Sequence, residues 1–129
     1  MKVSYASPQI ESACTSVSTA AELFRGNRDL AVKLMSRINA LKQADRIQDI
    51  MLDPSSGFRR TANRDGPDAD SEPELLFAIS IRTQEEIWQI LLQLLDEKEE
   101  PLAPYQFNLT DNDVTARVLE ITEVIRHHE

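Results

Sequence analysis

Helical periodicity in the first fifty residues, apolar alternation in the later stretches and a short β-branched opening together predict an α+β fold. In that fold two N-terminal helices pack on a small, antiparallel-rich β-sheet. The opening "KVSYA" alternates Val3 and Tyr5 with polar residues and stops at Ser7-Pro8, which suits a first strand. Ser7 then suits a helix N-cap, with Pro8 at the first helical position. Ile10, Ala13, Cys14, Val17, Ala20, Ala21 and Phe24 follow at three- and four-residue steps. This pattern predicts one amphipathic helix that Gly26-Asn27 ends. A second helix is expected through "RDLAVKLMSRINALKQA", with Leu30, Leu34, Ile38 and Leu41 on its apolar face and Lys33, Arg37 and Lys42 off it. A loop this short implies an antiparallel helix pair. "DRIQDIMLD" adds a helical turn before Pro54 and Gly57.

The later elements read as strands. "LLFAISIRT" places Leu75, Phe77, Ile79 and Ile81 on one strongly buried face, with Leu76, Ala78 and Ser80 between them. "ARVLEITEVIRH" alternates Val118, Glu120, Thr122 and Val124 against Leu119, Ile121, Glu123 and Ile125, and its β-branched content favours a closing strand. Residues 84–99 fit two templates. Ile87, Leu91, Leu94 and Leu95 make a helical stripe, whereas Trp88, Ile90, Leu92 and Leu94 alternate as a strand would. Periodicity alone does not separate a buried helix from a central strand. Loops are expected at 65–74, where "PDADSEPE" is rich in acid and proline, and near 96–113.

The 129 residues suit a single domain spanning 1–129. An apolar fraction of 41% and a charged fraction of 28% are those of ordinary globular proteins. No apolar run approaches the length of a membrane span, and the opening residues lack the apolar core of a secretory signal. Cys14 is the one cysteine, so neither an intramolecular disulfide nor a cysteine-rich zinc site is expected. A bacterial cytoplasmic protein fits these features. Charge divides unevenly. Residues 1–66 carry ten Lys/Arg against seven Asp/Glu, and residues 67–129 carry four against fifteen. The balances of +3 and −11 sum to the net charge of −8. An acidic chain is a poor general nucleic-acid binder, because phosphate neutralisation supplies most non-specific affinity. A local basic face on the N-terminal half is compatible with this objection. Its densest part is "GFRRTANRDG", which brings Arg59, Arg60 and Arg64 within six residues.

Taken in order, these segments resemble the RelE/HigB superfamily of bacterial toxins, and in particular its plasmid maintenance killer branch. "KVSYAS" followed by "IESACTS" resembles the start of that branch. "AVKLMSRINALKQADRIQDIM" is similar to its second helix, "NRDG" with "FAISI" to its basic hairpin, and "ITEVIRHH" to its closing strand and tail. The resemblance implies the toxin of a type II toxin–antitoxin pair, a ribosome-dependent endoribonuclease that cuts mRNA and inhibits translation. It also implies partners in a cognate antitoxin protein, the ribosome and mRNA, with no membrane. Neither metal nor cofactor is implied, so side chains must deprotonate the 2′-hydroxyl, stabilise the phosphorane and protonate the 5′-oxygen.

On that resemblance His127 and His128 fall on the tail positions suited to acid or base work, and Arg64 on the arginine of the hairpin motif. These three are the expected catalytic residues. Arg59, Arg60 and Arg82 are the expected RNA-phosphate contacts. The chain also departs from the pattern. Thr61 stands where the hairpin lysine is expected, and Gln89, in "IWQIL", stands where a cleft arginine is expected. Five acids from Asp65 to Glu74 lie beside the supposed site. These departures leave an alternative function: a catalytically weakened protein of the same fold that acts through protein–protein contacts.

Overall fold

A computed structural model describes residues 1–53, 57–61, 76–102 and 114–124. The fold is α+β: strand β1 (Lys2–Tyr5), helices α1 (Pro8–Thr15), α2 (Val17–Leu23), α3 (Arg28–Gln43) and α4 (Ile47–Met51), then strands β2 (Arg59–Thr61), β3 (Leu76–Arg82), β4 (Ile87–Leu95) and β5 (Thr115–Glu123). The five strands form one mixed sheet in the order β1-β5-β4-β3-β2. β1 runs parallel to β5, and the other three pairings are antiparallel.

Ser7 caps α1 as expected, its Oγ accepting from the Ile10 N–H at 3.3 Å. The single helix expected from Pro8 to Phe24 is instead two. Ser16 adopts an extended backbone (φ −133°, ψ 122°), closes α1 and opens α2, with its Oγ accepting from the Thr19 N–H at 3.4 Å. The cause lies in "TSVST": hydroxyl side chains compete for backbone groups, and the β-branched neighbours hold little helix preference to resist them. In α3, Asn27 caps the N-terminus, and Leu30, Leu34, Ile38 and Leu41 are buried as the spacing predicts. The turn expected after it is α4, whose Ile47 and Ile50 are buried.

The ambiguous stretch forms a strand. β4 lies between β3 and β5 and is buried on both faces, which explains why both periodicities fit it. β3 is likewise buried on both faces at Leu76–Ile79, so the one-faced burial expected of it is incomplete. In β5 the simple alternation also fails. Leu91 pairs with Glu120 but Leu92 pairs with Val118, which leaves Leu119 as the extra residue of a β-bulge. The bulge shifts the phase, so Ile121 joins the same core as Val118. That core takes side chains from helices and strands alike. Phe24, Leu30, Leu34, Ile38 and Ile47 meet Phe77, Ile79, Trp88, Ile90, Leu92 and Val118 in one buried cluster.

Strand alternation sends the other set of side chains to the opposite face: Arg59 on β2; Leu76, Ala78, Ser80 and Arg82 on β3; Gln89, Leu91 and Gln93 on β4; Arg117, Glu120 and Thr122 on β5. Two basic residues of α3 meet the margin of β3 beyond the short β2. Lys33 Nζ donates to the Arg82 carbonyl at 2.6 Å, and Arg37 Nε to the Ser80 carbonyl at 3.2 Å. These cations occupy carbonyls that an open edge would offer to another chain. The described part of the second loop is a tight turn in which Asp96 Oδ1 accepts from the N–H groups of Lys98 and Glu100.

Candidate functional site

β2 begins at a backbone position that its sequence makes possible. Gly57 has φ +62°, and a Cβ there would lie 2.0 Å from Ser80 Oγ, so the chain crosses closely over β3. Two residues later Arg59 pairs with Ala78. The next strand is β4, with Ala78 paired to Leu91 and Ser80 to Gln89. Arg59 extends across β3 and its Nη2 donates to Gln89 Oε1 on β4. The methyl group of Ala78, buried in β3, leaves the space that a long side chain crossing the strand requires. The guanidinium therefore reaches Gln89 on the sheet face away from the main core, and Ser80 and Thr122 flank Gln89 in register.

The other expected contacts divide. Arg82 ends β3 on the same face and is exposed. It lies two residues, or about 7 Å along the strand, beyond Ser80, whose register partner Gln89 receives the Arg59 guanidinium. Arg60 pairs with Phe77 in β2. Arg64, His127 and His128, the expected catalytic residues, lie outside the described residues, as do the acidic loop at 65–74 and residues 103–113 of the second loop. Sequence reasoning passed over Arg117, which is half-buried on this face opposite Gln93. Its pairing with Gln93 places it on the face that Gln89 shares.

A second polar cluster joins the turn between α2 and α3 to the far end of the sheet. Arg25 and Gly26 end α2 in a Schellman arrangement: the Gly26 N–H donates to the Ala21 carbonyl at 2.7 Å and the Arg25 N–H to Glu22 at 3.1 Å. Arg25 occupies the left-handed position, φ +57°, where glycine is usual. Its Nη2 donates to Glu86 Oε1 at 3.3 Å and Glu123 Oε2 at 3.0 Å, and its guanidinium lies 5.9 Å from the Trp88 ring centre. Asn27 Nδ2 donates to Glu86 Oε2 at 3.0 Å. The Asn27 hydrogen bond, more than Arg25, holds the Glu86 carboxyl below its usual range, and burial opposes it. The buried Trp88 Nε1 also faces that carboxylate and favours its charged form, without a hydrogen bond of normal geometry. Phe24 meets Trp88 edge-on at 4.8 Å. These contacts fix elements to one another, and they leave Arg25 neutralised by two carboxylates.

Cys14 is a core residue, and burial pushes its thiol up to about 11. A cavity of about 660 Å³ lies at the opposite end of the sheet, lined by Met1, Lys2, Glu97, Lys98, Glu99, Val114 and Thr115. Its mixed charge gives no preference for an anion, and it does not include Arg59. Among the described residues no group of three or more His, Cys, Asp and Glu side chains is arranged to hold a metal ion. No described helix is long and apolar enough to cross a membrane. Comparison with protein-family models, with curated proteins and with solved structures finds no match to this chain.

Proposed function

We propose that the protein is the toxin of a type II toxin–antitoxin pair, with a RelE/HigB-like arrangement of helices on a sheet, and that it acts as a ribosome-dependent mRNA endoribonuclease. The observation that carries this reading is Arg59, a cation held over the sheet face by a neutral partner. Such a group suits the charge that grows on a phosphorane, and the resemblance of the hairpin and tail supplies the substrate. In this reading Arg59 binds the scissile or adjacent phosphate, with Arg64 and Arg82 as further cations. His127 or His128 moves the proton.

The test is a growth and translation assay with induced expression. Wild-type protein is expected to arrest growth, and His128→Ala and Arg59→Ala to relieve the arrest. Losing one charge-stabilising donor typically lowers the rate by about a hundred- to a thousandfold. Unimpaired growth with well-expressed wild-type protein overturns the reading. A second reading is favoured by Gln89, an amide where the resemblance expects a cleft arginine: a protein of the same fold that binds a partner and no longer cuts. Binding of RNA or an antitoxin with mRNA left intact distinguishes it.

A further inference from the structure

The geometry points to Gln89 as the positioning residue of Arg59: a neutral acceptor that fixes the guanidinium at mid-sheet for a phosphodiester without neutralising it. Arginine carries five N–H donors, and the bond to Gln89 Oε1 uses one of them. A carboxylate at the same place would hold the side chain as well, but it would also cancel the charge an anion needs. The structure contains that contrast. Arg25 is held by two carboxylates, Glu86 and Glu123, and joins elements together. Lys33 pairs with Asp29 at 3.3 Å. Among the described residues no carboxylate pairs with Arg59. The acid in its register row, Glu120, stands on β5, two strands beyond Ala78.

Three features make the arrangement a built one. Gly57 permits the close crossing onto β3, Ala78 leaves space beneath the side chain, and Gln89 receives its end. Without Gln89 the exposed arginine of edge strand β2 would lose the one described contact that orders its guanidinium, and ordering it on a ligand would cost affinity. The ligand class, a single-stranded RNA backbone, rests on the function proposed above; the positioning of Arg59 by Gln89 does not.

The experiment is a double-mutant cycle on the full chain, read by fluorescence anisotropy with a labelled single-stranded ten-nucleotide RNA over a range of salt concentrations. Arg59→Ala is expected to reduce the slope of log K against log salt by about 0.7, the signature of one lost single-strand phosphate contact. Gln89→Leu should weaken binding about two- to tenfold and Gln89→Glu by more, because it neutralises the cation. In the Arg59→Ala background Gln89→Leu should have no effect, which a merely structural role would not produce. Urea unfolding of each variant separates loss of contact from loss of fold. Equal weakening by Gln89→Leu in both backgrounds, or none in either, overturns the positioning role while leaving the RNA reading intact. Unchanged RNA binding in Arg59→Ala, or none by the wild type, removes the RNA reading of this face and this inference with it.

Discussion

Arg25 shows most clearly how one residue can carry opposing effects. Its backbone occupies a left-handed conformation that disfavours any side chain, while its guanidinium holds two carboxylates and faces an indole. Arg25→Gly removes the interactions and the strain together, so it should shift the thermal unfolding midpoint little. Arg25→Ala loses the interactions and keeps the strain, so it should be the less stable of the two; the reverse order would contradict this account. Glu86 adds a pH dependence whose sign is fixed by the direction of its shift. Its folded-state carboxyl is depressed, so the stabilisation is present above the ordinary glutamate range near pH 4.5. It is lost as pH falls through the lower folded value. Urea unfolding at pH 7 and pH 3.5 should show a smaller loss on acidification for Glu86→Gln than for wild type. The carboxylate is partly open to solvent, which keeps the difference small.

Among the elements, β4 bears most on stability. Its residues Trp88 to Gln93 pair on both sides, and Ile90 and Leu92 are fully buried within the shared core. Ile90→Ala should destabilise by about 2–5 kcal/mol in chemical denaturation, whereas truncating the exposed Val32 of α3 should change little. The same strand marks where sequence periodicity stops being informative. An element apolar on both faces satisfies the helical and the strand template together, and pairing partners at distant positions decide between them. α3 was legible in its apolar stripe, since Leu30, Leu34, Ile38 and Leu41 recur at helical spacing without interruption. α1 and α2 were not, because the apolar spacing continues through Ser16 while the hydroxyl groups around it interrupt the backbone. The bulge at Leu119 is equally invisible in β5 alone. It arises from register against β4, and it decides which of Val118, Glu120 and Ile121 face the core.

At the scale of the whole molecule, the described residues hold Arg59 by an amide on one sheet face, whereas Arg25 and Lys33 are paired with carboxylates. Arg59 and Gln89 stand thirty residues apart in the sequence, Gln89 where the resemblance expects a cation. Their union across Ala78 depended on strand order, which no local pattern contains. The proposed function joins that cation to a histidine tail and to the ribosome, and one measurement bears on it most directly. Purified protein is added to a bacterial cell-free translation reaction, and the reporter mRNA is mapped by primer extension. The account predicts that protein synthesis stops and that new 5′ ends appear in mRNA only while ribosomes translate it, with both effects diminished by Arg59→Ala. Undiminished synthesis from intact mRNA, at protein concentrations matching the ribosomes, would contradict it.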